Sequence, residues 1–246
     1  MSAPDYGRQG VVGVGTPQAN PTVEAEMAIL FPPTVTRMVS RLTSSSPDPA
    51  TRLREYLLHM DRALDTYDTL KPDLFAFACT ASSYLVPQGR EAEAVAALEA
   101  RYGYPVLTAA AALQSALQRL NARRIALVSP YPQAMADAAM HWWTSHGYEI
   151  AAIDRIEIGG SDTRGIYRLS SDDARGALDR LGALSVDAVL MTGTGMPSLA
   201  LLADPPAGAP PLVGSNLSLA QAVAERLGFE LGDWKARLAA ARGDER

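Results

Sequence analysis

The segment Cys79-Thr80-Ala81-Ser82-Ser83 is the part of this sequence best equipped for chemistry. It follows an apolar run, Leu74–Ala78, that reads as a strand, and a helix is expected to start close behind it. A thiol at the start of a helix feels the positive end of the helix dipole, which lowers its pKa and raises its thiolate fraction. Free backbone N–H groups at such a turn also receive carboxylates. The segment therefore offers a nucleophile or proton carrier beside an anion cradle made by Thr80, Ser82 and strand-end amides. The plain alternative is that Cys79 is a small buried hydrophobe.

Two further residues sit at comparable places. Asn20, in Gln18-Ala19-Asn20-Pro21, reads either as a simple turn residue or as an amide donor at a pocket mouth. Tyr131, after Ser129-Pro130, reads either as a packing tyrosine or as a phenol donor to a substrate carboxylate. Glu24 is expected to be a carboxylate in the first turn of a helix rather than a base. Gly13-Val14-Gly15 begins like a dinucleotide fingerprint, but the third glycine is missing and Pro17 breaks the path into a helix. No nicotinamide or flavin is expected. With one cysteine and three scattered histidines, His59, His141 and His146, neither a disulfide nor a cysteine-rich zinc site can be built, and no metal is expected. Trp142 and Trp143 lie on an amphipathic helical stretch and read as packing residues.

The elements that must position these residues alternate. Candidate strands are Val11–Val14, Leu74–Ala78, Val106–Leu107, Ile125–Val128, Ala188–Met191 and Leu212–Val213. Candidate helices include Ala50–Leu70, Glu91–Tyr102, Ala109–Asn121, Ala134–His146, Ser171–Leu184 and Leu217–Leu227. Such alternation predicts an α/β fold with parallel strands. The chain also repeats itself. Asp73–Leu85 aligns without gaps on Asp187–Leu199, so Cys79 falls on Gly193 and Thr80 on Thr194. Thr16-Pro17-Gln18-Ala19 matches Tyr131-Pro132-Gln133-Ala134, and Pro105-Val106-Leu107 matches Pro211-Leu212-Val213. The reading is two pseudo-symmetric, Rossmann-like parallel-sheet lobes, with the active site in the cleft between them. Residues 10–113 plus 216–246 form the first lobe and 114–215 the second. Strand C-termini would then line one pocket, as ligands in open α/β sheets bind there.

Composition bounds the partners. Lys plus Arg total 22 against 27 Asp plus Glu, a formal charge of −5, so no basic surplus is left for a nucleic acid. No 18-residue apolar run suggests a membrane span, and the polar start, Met1 to Gly10, has no apolar signal-peptide core. The expectation is a cytoplasmic protein, with apolar helices that would permit a homodimer.

Taken in order, Pro17-Gln-Ala-Asn20-Pro-Thr-Val-Glu24, Ala78-Cys79-Thr80, Tyr131, Asp162-Thr163-Arg164-Gly165-Ile166, Gly193-Thr194-Gly195 and Pro211-Leu-Val-Gly-Ser-Asn216 resemble the aspartate/glutamate racemase superfamily. The resemblance runs over roughly residues 10–230 and is nearest to the maleate cis–trans isomerase and arylmalonate decarboxylase branch. It implies two α/β lobes about a pseudo-twofold axis and no metal or organic cofactor. It also implies Cys79 as the catalytic residue, with Asn20 and Tyr131 holding carboxylates and Pro17, Thr80, Ser82, Thr163, Gly193 and Thr194 completing a substrate site. Thr163 stands where the isomerases carry a further asparagine. Gly193 stands where racemases and isomerases carry a second cysteine. Arylmalonate decarboxylases also keep one cysteine, but in the other lobe.

One thiol cannot serve both faces of a carbanion, so two-base racemisation is disfavoured. Three functions remain. The leading one is isomerisation of a small dicarboxylic acid by thiol addition, as in maleate isomerases. The second is decarboxylation of a malonate-type diacid with Cys79 as proton donor. The third is a small-acid binding protein that lacks the second thiol.

Overall fold

The computed structural model describes residues 5–181 and 184–243. Its core is two four-stranded parallel sheets of identical topology. The first runs β1 (Gly10–Pro17), β2 (Val35–Leu42), β3 (Leu74–Phe77) and β4 (Val106–Thr108), in spatial order β2-β1-β3-β4. The second runs β5 (Arg124–Ser129), β6 (Glu149–Arg155), β7 (Ala188–Met191) and β8 (Leu212–Gly214), in order β6-β5-β7-β8. This is the expected α/β architecture.

The internal repeat has a physical counterpart in each sheet. Asp73 Oδ2 accepts from Val11 N at 2.8 Å, and Asp187 Oδ2 accepts from Arg123 N and Arg124 N at 2.8 Å. Each aspartate thus pins the start of its third strand to the start of its first. Pro105 O accepts from Phe75 N, and Pro211 O accepts from Val189 N, both at 2.9 Å. Prolines lack an N–H, but their carbonyls still serve the ladder, so the two positions are equivalent in structure as well as in order.

Helices α1 (Thr22–Leu30), α2 (Pro49–Leu58), α3 (Asp61–Leu64), α4 (Thr80–Tyr84), α5 (Arg90–Tyr102) and α6 (Ala109–Arg119) accompany the first half. Helices α7 (Gln133–Ser145), α8 (Ser171–Leu181), α9 (Leu199–Ala203), α10 (Ser215–Leu227) and α11 (Trp234–Arg242) accompany the second. The helix expected over Ala50–Leu70 is broken into α2, α3 and a 3-10 turn, Asp65–Tyr67. The Ala63 carbonyl takes hydroxyl donors from Ser40 and Thr66, which tightens that last turn. Leu53, Leu57, Met60, Leu64 and Tyr67 are still buried, but Leu58 faces solvent. In α8, Asp173 reaches back to the N–H and hydroxyl of Ser170, a capping arrangement at the start of the helix. The expected helix end at Leu184 falls beyond the break at 182–183, and α8 is described only to Leu181. Strands β2 and β6 and helices α9 and α11 are additional to the expected elements.

One connection matters for the site. Helix α10 follows the last strand of the second sheet, yet its Leu219, Ala220 and Val223 pack in one apolar cluster with Val12, Val14 and Leu74 of the first sheet. The halves are further tied by Glu26 of α1. Its buried carboxylate accepts from Ser198 N (2.8 Å), Leu199 N (3.2 Å) and Asn216 Nδ2 (2.7 Å). Burial pushes its pKa up, and these three donors pull it partly back.

Candidate active site

The C-terminal ends of β1, β3, β5 and β7 meet at a small pocket between the lobes. Pro17, Asn20, Cys79, Thr80, Tyr131, Thr163, Gly193 and Thr194, all expected in the site, line it. Ser82 does not. Its side chain is fully buried behind Cys79, and its hydroxyl donates to Cys79 Sγ at 3.1 Å instead of facing a ligand. Strand-based reading also missed Leu53 from α2 and Tyr167 from a 3-10 turn, Thr163–Arg168. Ala81, Ile166 and Gly195 complete the wall.

Cys79 caps the start of α4 in extended conformation. Its thiol is buried, and this reverses one expectation. Burial pushes its pKa up to about 11, while Ser82 and the N–H groups of Ala81 and Ser82 pull it back only in part. A single-turn helix has little dipole to set against the desolvation of a thiolate. In the ligand-free protein Cys79 is therefore a protonated thiol at neutral pH.

The other side chains are held in defined orientations. Asn20 Oδ1 accepts from Thr22 N at 2.9 Å and Val23 N at 3.4 Å, capping the start of α1. The oxygen thus makes the turn, and Nδ2 donates to Thr194 Oγ1, another pocket residue, at 3.4 Å. Thr194 donates in turn to Ala78 O at 2.9 Å, beside Cys79. Thr80 pairs with Ser215 at 3.2 Å. Burial raises the Tyr131 phenol well above its ordinary range, so the hydroxyl keeps its proton. Glu24 lies in the first turn of α1, as expected, and pairs with Arg41 at 2.6 Å.

Two glycines shape the wall. Gly193 takes φ of +96°, a region that side-chain-bearing residues rarely adopt. A Cβ on Gly195 would lie 2.7 Å from the Tyr167 ring, so only glycine lets that ring pack there.

Two properties define what this pocket can do. Among the described residues, no Asp, Glu, Lys, Arg or His lines it. A carboxylate would be held by neutral donors: the Asn20 amide, the Tyr131 phenol, threonine hydroxyls and backbone N–H groups. The space it offers is also only about 30 Å³, room for a water or two. The apolar side, Leu53, Ile166 and Tyr167, belongs to α2 and the 163–168 turn. These two pieces are strapped together over the pocket by Arg52, which donates to Asp162 Oδ1 at 2.7 Å. Arg164 binds the same carboxylate through Nε at 2.8 Å and through Nη2. Among the described residues, no group of three or more His, Cys, Asp or Glu is placed to hold a metal ion, and no helix is long and apolar enough to cross a membrane.

Known proteins share this fold. A maleate isomerase from Nocardia farcinica (strain IFM 10152) is 27% identical over 205 residues, covering 78% of this chain and 79% of that protein. The crystal structure of the maleate isomerase Iso from Pseudomonas putida S16 superposes with a TM-score of 0.80 at 21% identity, over 89% of this chain and 93% of that one. A Nocardia farcinica maleate cis–trans isomerase, a cysteine-to-serine variant with a covalently bound succinylcysteine intermediate, gives 0.77 at 22% identity over 89% and 93%. Residues 72–228, more than half of the chain and including Cys79, Tyr131 and Gly193, match the family described as Amdase, arylmalonate decarboxylase. On that match the chain belongs to the arylmalonate decarboxylase family.

Proposed function

We propose that this protein is a cysteine-dependent cis–trans isomerase of a small unsaturated dicarboxylic acid such as maleate. The observation that carries the reading is the placement of one thiol, Cys79, in a cation-free pocket ringed by Asn20, Tyr131, Thr163 and Thr194. The covalent succinylcysteine of a structural neighbour supports addition to the double bond as the chemistry.

The step balances without an outside base. Cys79 Sγ bonds to one alkene carbon, and the π pair moves to the neighbouring carbon, where the adjacent carboxylate delocalises it. The proton that leaves sulfur ends on that carbon, giving a succinyl thioether. The former double bond is now single and turns. Loss of the proton and of the thiol restores the alkene in the trans form. Asn20 and Tyr131 hold one carboxylate, and strand-end N–H groups with Thr80 hold the other. Neutral donors suit this task, because they stabilise charge that moves onto oxygen during the reaction without fixing it in the ground state.

A second reading has its own support. A thiol raised to about 11 is a proton donor at neutral pH. In a malonate-type diacid, the pair left behind when carbon dioxide departs forms an enediolate, and Cys79 would protonate its α-carbon. Solvent then reprotonates the thiolate. The experiment is a panel of diacids followed by proton NMR in deuterium oxide. Conversion of maleate to fumarate supports isomerisation. Carbon dioxide release with one deuterium at the α-carbon supports decarboxylation. Ligand-induced thermal stabilisation with no turnover would leave only a binding protein, and full turnover by Cys79→Ala would overturn both enzymatic readings.

A further inference from the structure

The first half of the chain passes from β3 through Ala78 and Cys79 straight into α4. The second half does not. After β7 it runs as an irregular loop, residues 192–198, before α9 begins at Leu199. Three residues of the pocket wall, Gly193, Thr194 and Gly195, ride on that loop. Within it, Met196 N donates to Gly193 O at 3.2 Å. Groups from α1 and α10 hold the rest. Thr22 Oγ1 donates to Gly195 O at 2.8 Å, and Asn216 Nδ2 donates to Thr194 O at 3.0 Å. Glu26 closes the far end by accepting from Ser198 N and Leu199 N.

Glu26 also decides which way Asn216 faces. A side-chain amide nitrogen carries two hydrogens. Asn216 Nδ2 gives one to Glu26 Oε2 at 2.7 Å and the other to Thr194 O. Among the described residues, its buried amide oxygen, Oδ1, has no hydrogen-bond partner. Buried polar atoms are nearly always paired, so this orientation is one that the two acceptors impose. Thr194, held by its carbonyl, donates its hydroxyl to Ala78 O at 2.9 Å and accepts from Asn20 Nδ2 at 3.4 Å. One hydrogen of the Asn20 amide is thereby engaged, and the second is left for the pocket that Asn20 lines.

We propose that Glu26 is a positioning residue for the substrate: through Asn216 and Thr194 it aims the Asn20 amide at a carboxylate. Glu26 does not line the active-site pocket and acts only through this relay. The inference rests on the reading of Asn20 as a carboxylate donor, and not on which reaction follows. Glu26→Gln isolates the role. Its amide oxygen still accepts from Ser198 N and Leu199 N, so the start of α9 keeps its partner. Its NH2 group faces the NH2 of Asn216, two donors in opposition. Asn216 then turns over, and Thr194 O loses its donor.

The test is asparagine-selective 15N labelling of the intact protein. The chain has three asparagines, Asn20, Asn121 and Asn216, so each side-chain amide is read separately, with exposed Asn121 as internal reference. Glu26→Gln should move the Asn216 signals and also those of Asn20, and leave Asn121 in place. Asn216→Ala, which keeps Glu26 and its contacts to α9, should move the Asn20 signals as well. In Glu26→Gln, calorimetric affinity for succinate, a saturated four-carbon diacid, should fall about tenfold. KM for maleate should rise by a like factor, with kcat within about threefold of the wild type. In a Thr194→Val background, where the relay is already broken, Glu26→Gln should cost less than about twofold more. Unmoved Asn20 signals in either variant, wild-type affinity for succinate, or a full tenfold further loss in the Thr194→Val background would overturn the proposal. A wild-type protein that binds succinate but leaves maleate unchanged denies the isomerase reading instead, and the spectra and succinate affinities then decide the role of Glu26.

Discussion

The hydroxyl of Tyr131 lies 3.3 Å from the point where a Cβ on Gly193 would stand, and Pro130 Cγ lies 3.1 Å from the same point. The phenol thus occupies space that a second side chain would need. Restoring a second thiol by Gly193→Cys is expected to fail twice. The positive φ costs about 1–2 kcal/mol for a side-chain-bearing residue, and Tyr131 must shift. We expect a melting temperature lower by about 2–8 °C and reduced turnover, with no gain of racemisation. Differential scanning calorimetry and the diacid NMR panel check this.

Cys79 and Ser82 should respond together to pH. With the thiol pushed up to about 11, the thiolate forms only well above the range of a free cysteine. Alkylation of the ligand-free protein by iodoacetamide is therefore slow at pH 8 and climbs towards pH 11. Between the ordinary thiol range and that value the unfolded chain loses its proton while the folded one keeps it, so this group's contribution to stability declines as pH rises. Ser82→Ala removes the hydroxyl that favours the thiolate, a loss of about 1.5–3 kcal/mol, and should slow alkylation about tenfold or more. An unchanged pH–rate curve in Ser82→Ala would deny that hydroxyl its effect on sulfur.

Asn20→Asp separates the two roles of Asn20. An aspartate keeps the oxygen that accepts from Thr22 N and Val23 N, so α1 stays capped, while burying the new charge lowers stability by about 1–3 kcal/mol. The Nδ2 donor is lost, and a negative charge appears beside the pocket. We expect KM for a diacid to rise about tenfold to a hundredfold, or more, with the melting temperature lower by about 2–10 °C and the fold retained. Steady-state kinetics beside thermal denaturation reads both.

Substrate entry should depend on the Arg52–Asp162 strap. A pocket of about 30 Å³ cannot take a four-carbon diacid without movement of Leu53, Ile166 or Tyr167. Arg52→Ala frees the 163–168 turn from α2, and limited proteolysis should cut near it faster than in the wild type. The Asp162 carboxyl is held down to about 2, first by Arg164. The strap is therefore complete above the ordinary aspartate range, near pH 4, and is lost as pH falls through about 2. Proteolysis by an acid protease should show protection of this segment at pH 4.

Most of what was legible in the sequence was buried. Strands β3 and β7 are covered on both faces and read as uninterrupted apolar runs, so Cys79 and Gly193 were found by what they follow. Strands β2, VTRMVSRL, and β6, EIAAIDR, lie at sheet edges, partly exposed and punctuated by charged residues, and their pattern does not announce a strand. Leu53 and Tyr167 escaped for a different reason. Neither follows a strand, and only the folding of α2 and the 163–168 turn over the cleft brings them to the site. The direction of the Cys79 pKa shift depends on the depth of burial, which spacing alone does not reveal.

The landing of α10 on the opposite sheet makes the two halves obligate companions. Severed at its midpoint, the chain would yield an amino-terminal piece whose Val12, Val14 and Leu74 lie bare and a carboxy-terminal piece with a stranded helix. Neither fragment would be soluble alone, yet mixed together they carry every surface needed for complementation. The intact chain should therefore melt in one cooperative step rather than lobe by lobe.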